Sequence, residues 1–345
     1  MEATGAAALS ETFVMIPSSV KIVDVGPRDG LQNEKQPVDT AHKVELVHRL
    51  QAAGLREIEV TSFVSPKWVP QMADNAAVMA AISRQPDVRY SVLTPNLKGL
   101  EAALPTHPDE VVVFGAASEA FSQRNINCSI AESVERFAPV VAMAHENGLK
   151  VRAAVSCALG CPYQGEVSAD EVEHVVKLMK AIGVDHCGIA DTIGTGTPKR
   201  VQAAMERALK HFPLAEVSGH FHDTYGQALA NIYACLEMGI HHFDTSVAGL
   251  GGCPYAKGAT GNVATEDVVF MLNGLGIETG IDLDADTPHS AAGLELPDQV
   301  AKIGVFHGGR PSMSRRRRDR ITAGAAGNDR SPAAGSPDSQ AHQPH

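Results

Sequence analysis

Along the chain, short β-rich apolar runs alternate with longer stretches whose apolar residues recur at i, i+3 and i+4. The runs that read as strands are KIVDV (21–25), LREIEV (55–60), RYSVLT (89–94), EVVVFG (110–115), LKVRAAVS (149–156), VDHCGIA (184–190), VSGHFH (217–222) and HHFDTSV (241–247). They are apolar on both faces, the pattern of strands buried under helices. Between them, TAHKVELVHRLQAAG, NAAVMAAISRQ, NLKGLEAALPT, SVERFAPVVAMAHENG, SADEVEHVVKLMKAIG, TPKRVQAAMERALKHF and GQALANIYACLEMG predict helices, several ending at Gly as C-caps do. After the last strand comes a Gly-rich loop and one more helix, ATEDVVFMLNGLG. Thr40 and Ser168 occupy N-cap positions, and Glu171, three residues after Ser168, suggests a capping box.

Eight βα units in about 260 residues are what a closed parallel (β/α)8 barrel, the TIM architecture of the α/β class, requires. An open doubly wound sheet would use fewer strands and a G-x-G-x-x-G after the first, and none is present. The barrel is expected over residues 20–283, between an N-terminal extension (1–19) and a tail (284–345). In such a barrel, functional groups sit at the C-terminal ends of the strands.

Composition narrows the function. A chain of 345 residues that is 44% hydrophobic can enclose a large core. Its net charge of −11 argues against a general nucleic-acid binder, whose affinity rests on positive charge. No apolar run approaches the ~18 residues that a membrane span needs. No Lys or Arg precedes Lys21, so neither a secretory signal nor a transit peptide is expected, and a cytoplasmic location is. The cysteines at 128, 157, 161, 187, 235 and 253 are scattered in the manner of free thiols.

Polar residues gather where the barrel places its rim. Arg28 and Asp29 follow strand one in VGPRDGLQNEK, Glu59 lies on strand two, Asp191 ends strand six, and His220 and His222 share one face of strand seven. Cys253 and Asn262 lie in AGLGGCPYAKGATGN, after strand eight. One carboxylate, two imidazoles and an amide oxygen make a mixed N/O metal site. Such a site suits Mg²⁺ or Mn²⁺, with Zn²⁺ or Co²⁺ able to substitute. Cys253, in a flexible loop beside a cation or Arg28, could exchange protons near neutrality. Cys187 and Cys235 read as buried structural thiols, and Cys157 and Cys161, in SCALGCPY, as rim packing.

The motifs VGPRDGLQNEK, IEVTSFVSPKWVPQMAD, NINCSI, VSCALGCPY, DTIGTGTP, HFHDTYGQALANI and AGLGGCPYAKGATGNVATEDVVFMLNGLGI together resemble the 3-hydroxy-3-methylglutaryl-coenzyme A lyases, over about residues 20–283. The resemblance implies metal-dependent cleavage of 3-hydroxy-3-methylglutaryl-CoA to acetyl-CoA and acetoacetate, in leucine and ketone-body metabolism, by a homodimer. It makes Asp29, His220, His222 and Asn262 metal ligands, Arg28 and Cys253 catalytic, and Glu59 and Asp191 supporting residues of the active site. The cation would lower the pKa of the substrate's tertiary hydroxyl, Arg28 would stabilise the thioester enolate, and Cys253 would protonate it. The base is open among Asp29, Glu59, Asp191 and a metal-bound hydroxide. Lys35, Lys67, Arg124 and Lys257 are candidates for the phosphates of CoA.

Beyond GIETGIDLD the chain departs from the family. Residues 285–345 carry 8 basic and 6 acidic side chains with little apolar period, against 21 basic and 34 acidic before them. Disorder is expected there, with a short helix near 293–304; the RRRRDR run reads as solvated charge. Two other readings stand beside the lyase: a related barrel aldolase or synthase acting on a 2-oxo acid or another 3-hydroxyacyl-CoA, and a non-catalytic barrel with a decayed C-terminus.

Overall fold

The computed structural model describes residues 16–34, 37–251 and 261–283. Eight parallel strands close on themselves in sequence order: β1 (Lys21–Asp24), β2 (Glu57–Ser62), β3 (Arg89–Leu93), β4 (Glu110–Ala116), β5 (Lys150–Ser156), β6 (His186–Asp191), β7 (Val217–Phe221) and β8 (His242–Thr245). β1 pairs with both β2 and β8, which completes the expected barrel. The outer ring is α1 (Thr40–Ala52), α2 (Asn75–Ala81), α3 (Leu97–Ala103), α4 (Glu119–Ile126), α5 (Ile130–Glu146), α6 (Ala169–Ala181), α7 (Pro198–Leu209), α8 (Ala228–Glu237) and α9 (Thr265–Gly274). Among the described residues, no helix is long and apolar enough to cross a membrane.

The layering follows from alternation. Val111 and Val113 on β4 are buried in one apolar cluster with Phe137, Val140, Val141 and Ala144 of α5. Each of these valine and phenylalanine side chains contributes roughly 1.5–3 kcal/mol on burial. Their neighbours on the strands face the barrel interior, and there the polar residues collect.

Local signals largely hold. Ser168 and Glu171 form the expected capping box of α6. At α1 the cap is Asp39, whose carboxylate accepts the N–H of His42, and Thr40 is the first helical residue. Thr40 instead donates its hydroxyl to Asp74 at 2.7 Å. α5 begins at Ile130, ahead of the apolar pattern from 133, because Ser129 and Glu132 form a second capping box. α4 has no counterpart in the sequence reading. It is a short helix that buries only Phe121 and Ser122, too little for periodicity to register. Residues 1–15, the Cys253 loop (252–260), Lys35 and the tail from 284 lie outside the described residues.

Candidate metal centre and its support

The Arg28–Asp29 pair rides on a tight π-turn, Gly26–Gly30, directly after β1. Asp24 ends the strand and accepts the Gly26 N–H at 2.8 Å, which bends the chain over the barrel mouth. The turn leaves no room for side chains at its ends: a Cβ on Gly26 would lie 2.8 Å from Asp24 Oδ1, and one on Gly30 would lie 2.8 Å from Leu250 Cβ. Thus the flanking glycines of GPRDG let Arg28 and Asp29 project from a backbone packed against the segment after β8.

Asp29 meets His220 and His222 above the end of β7, with one ligand atom from each lying within 4.8 Å of the others. Burial works to raise the Asp29 carboxyl, but Arg28, the two imidazoles and Asn262 outweigh it and hold its pKa at about 2. It is therefore ionised at neutral pH. Burial and the neighbouring His220 lower His222 to about 4, so its ring is neutral and able to donate a lone pair. His222 Nδ1 is buried and has no hydrogen-bond partner among the described residues. A buried ring nitrogen without a partner, beside an ionised carboxylate and a second imidazole, fits a divalent cation. Asn262 is bridged to His222 through the backbone and donates Nδ2 to Asp29 Oδ2 at 2.8 Å. In this arrangement it orients the carboxylate.

His220 is oriented from below. Its Nδ1 lies 3.2 Å from Asp244 Oδ2, the arrangement that directs the other ring nitrogen toward a metal. Burial lowers the His220 pKa, but Asp244 outweighs it and the net shift is upward. Arg152 holds Asp244 with Nη1, at 2.8 and 3.0 Å from the two oxygens. Its Nη2 donates to Glu59 Oε2 at 3.1 Å, and its Nε lies 3.3 Å from Glu110 Oε2 as an ion-pair contact without hydrogen-bond alignment. Glu59 in turn accepts Arg28 Nε at 2.6 Å, and Arg28 Nη1 donates to Asp29 at 2.8 Å. β5 pairs only with β4 and β6, so these contacts from β5 to β2 and β8 cross the barrel interior. Sequence reasoning missed Arg152 and Asp244. The available signal was a charge in the middle of LKVRAAVS and of HHFDTSV, strands with no solvent face.

Asp191 stands apart from the triad's contacts. Its carboxylate accepts the N–H groups of Thr195 (3.1 Å) and Gly196 (2.8 Å), and burial raises its pKa to about 6. It shapes the loop after β6, whose Thr192 makes a backbone hydrogen bond with His222. Of the phosphate candidates, Lys67 is exposed and Arg124 stacks on Tyr163, 4.4 Å from the ring centroid; Lys35 and Lys257 lie outside the described residues, as does Cys253. Cys157 and Cys161 are buried at the rim as expected, but in a polar environment.

The HMGL-like family profile matches residues 19–288. A Pseudomonas aeruginosa protein named 3-hydroxy-3-isohexenylglutaryl-CoA/hydroxy-methylglutaryl-CoA lyase is 58% identical over 270 residues, covering 78% of this chain and 90% of its own. A cytoplasmic 3-hydroxy-3-methylglutaryl-CoA lyase of Mus musculus is 55% identical, covering 78% of each chain. A mitochondrial hydroxymethylglutaryl-CoA lyase of Gallus gallus is 56% identical, covering 77% of this chain and 90% of its own. The crystal structure of the hydroxymethylglutaryl-CoA lyase from Pseudomonas aeruginosa superposes with a TM-score of 0.79 at 52% identity, covering 89% of this chain and 99% of that one. A lyase structure from Acinetobacter baumannii, in complex with coenzyme A and 3-methylmalate, gives 0.76 at 31% identity, covering 94% and 99%.

Proposed function

The chain belongs to the HMGL-like family, and from that membership and the rim geometry we propose that it is a divalent-metal-dependent carbon–carbon lyase. It cleaves 3-hydroxy-3-methylglutaryl-CoA to acetyl-CoA and acetoacetate. The observation that carries this reading is the convergence of Asp29, His220 and His222, with Arg28 bonded to Asp29 at the same rim. Asp29, His220 and His222, with Asn262 alongside, would hold Mg²⁺ or Mn²⁺, which when bound supplies Lewis-acid polarisation of the substrate's C3 hydroxyl.

This chain's residues do the rest. Cleavage of the C2–C3 bond sends electrons onto the thioester carbonyl, and the resulting oxyanion needs a fixed donor. Glu59 and Asp29 use two of the five N–H donors of Arg28 and hold its guanidinium in place before the charge develops. Loss of such a donor costs about 10²–10³ in rate. Cys253 is the proton donor to the enolate carbon in this scheme. The bonds of Asp191 to loop amides support a positioning role for it rather than that of the base.

A second substrate has a specific observation behind it: the 58% identical Pseudomonas relative is named for a 3-isohexenyl substrate as well as the methyl one. The test is a steady-state assay of the purified chain with Mg²⁺ and each acyl-CoA in turn. Release of acetoacetate and acetyl-CoA from the methyl substrate supports the lyase, and turnover of the isohexenyl substrate alone moves the specificity. Turnover of neither, with a 2-oxo acid consumed instead, would place the chain among the barrel aldolases. We also propose a homodimer and a cytoplasmic role in leucine and ketone-body metabolism. The relatives bear both cytoplasmic and mitochondrial names, so the compartment is tested by fractionation and the oligomer by sedimentation.

A further inference from the structure

The N-terminal ends of the strands form the base of the barrel, away from the metal centre, and enclose a second group of buried titratable side chains. His186 opens β6 and His242 opens β8, and both are buried. β6 and β8 pair with β7 and not with each other, so the two rings meet across the interior. They pack edge to face with centroids 4.7 Å apart. Glu57, the first residue of β2, lies 3.4 Å from His242 Nε2, an ion-pair contact that also crosses the interior.

The two imidazoles differ in what faces them. His242 has the Glu57 carboxylate as a counterion. His186 makes no ion pair among the described residues, and its Nε2 is buried without a hydrogen-bond partner among them. Its register partner on β5 is Arg152, a fixed cation. The other charges around the pair are engaged with one another. Arg89 of β3 lies 3.9 Å from Glu57 and 4.0 Å from Glu110 of β4. Arg152 holds Glu110 and Asp244, and Lys21 of β1 lies in register with His242. Asp185, the residue before His186, is turned to His145 and Lys150. Burial works to raise Glu57, but His242, Arg89 and Lys21 outweigh it and hold its pKa at about 2. Burial, with His242 and Arg152 beside it, lowers His186 to about 2, so its ring is neutral at neutral pH.

We propose that the His186–His242 pair is an acid-operated latch, which keeps the base of the barrel closed while it carries at most one proton and forces it open when it carries two. A proton on His242 is matched by Glu57. A second proton, on His186, has no carboxylate of its own. It places a cation against the neighbouring ring and beside Arg152, in an interior where like charges repel strongly. The unfolded chain accepts the same proton at the ordinary value of 6.5. The folded pKa lies below the unfolded one, so the stability contributed by the neutral ring is full above pH 6.5 and is lost as pH falls below it. The loss is about tenfold in the folding constant for each pH unit. Opening the base also withdraws Arg152, and with it the support of Asp244 and His220.

The test uses the full chain and two independent readings. In the first, exchange of the histidine Cε1 hydrogen for deuterium, whose rate follows the protonation of the ring, is measured by mass spectrometry against pH in the folded protein. Trypsin cleavage after Lys180 and Lys199 releases residues 181–199, in which His186 is the only histidine. The profile of that peptide should show no inflection between about pH 5 and 8, as fits a ring held neutral. An inflection near 6.5 with the fold intact would overturn the proposal. In the second, urea denaturation of wild type and His186→Gln is followed over the same range. Below pH 6.5 the unfolding constant of the wild type should climb about tenfold more per pH unit than that of the variant. A merely structural role shifts the variant by one factor at every pH, and such parallel curves would also overturn the latch. The exchange profile needs no variant, so a His186→Gln chain that fails to fold leaves the test standing.

Discussion

Replacing Arg152 with methionine tests the interior network most directly. The side chain is 2% exposed and faces Asp244, Glu59 and Glu110. Methionine fills much of the volume and removes the cation, leaving three buried carboxylates without their shared partner. Removing one partner of a buried ion pair typically costs about 3–5 kcal/mol. In a domain of this size each kcal/mol lowers Tm by roughly 2–4 °C, so a fall on the order of 10 °C is expected. Freed from Arg152, Asp244 no longer fixes the His220 ring, and loss of such support weakens metal binding by about 10–100-fold. Arg152→Lys keeps the charge but not the fork that reaches β8 and β2 together, and should fall between the two. The assays are a far-UV circular dichroism melt and Mn²⁺ titration by electron paramagnetic resonance. A melt within about 2 °C of wild type, with unchanged Mn²⁺ affinity, would refute the idea that Arg152 couples fold to metal site.

Three further outcomes are expected. His222→Ala should weaken Mn²⁺ binding by at least about tenfold, in line with the loss of one ligand, and unchanged affinity in the same titration would remove His222 from the site. Cys253→Ala should bind Mn²⁺ normally yet lose most turnover, and full turnover in the acetoacetate assay would remove it as proton donor. Burial raises Glu266 from its ordinary 4.5 to about 7, while both its oxygens hold the Ala248 N–H. A carboxyl raised by folding stabilises fully below the unfolded pKa, and the contribution is lost as pH rises through the folded one. Stability should therefore fall by roughly 3 kcal/mol between pH 4.5 and 7, at 1.36 kcal/mol per unit. Urea denaturation of Glu266→Gln should show a flatter profile over that window, and an identical slope in wild type and variant would discount the shift.

The strands were readable because they are buried on both faces, and such strands stand out as apolar runs between amphipathic stretches. Asp29, His220 and His222 were readable because each lies at a strand end in a turn or an i, i+2 pair that the barrel turns toward one rim. Arg152 and Asp244 were not, because a sequence read strand by strand has no term for contacts across the barrel. Arg152 pairs with residues 92 and 93 positions away, on strands that are not its neighbours.

The buried charges form one connected path: Asp29 to Arg28, Arg28 to Glu59, Glu59 to Arg152, Arg152 to Asp244, Asp244 to His220. It begins and ends at the proposed ligands. In formal charge, two guanidiniums face the four carboxylates of Asp29, Glu59, Asp244 and Glu110, which leaves −2 among these groups. A buried excess of one sign is costly without a counterion, and burial raises the Glu110 carboxyl despite Arg152 beside it. A divalent cation at the triad would offset that excess. The network that orients the ligands thereby also favours a cation in the site. Substitutions within it should change metal affinity and substrate KM together, whereas loss of the proton donor should change kcat alone.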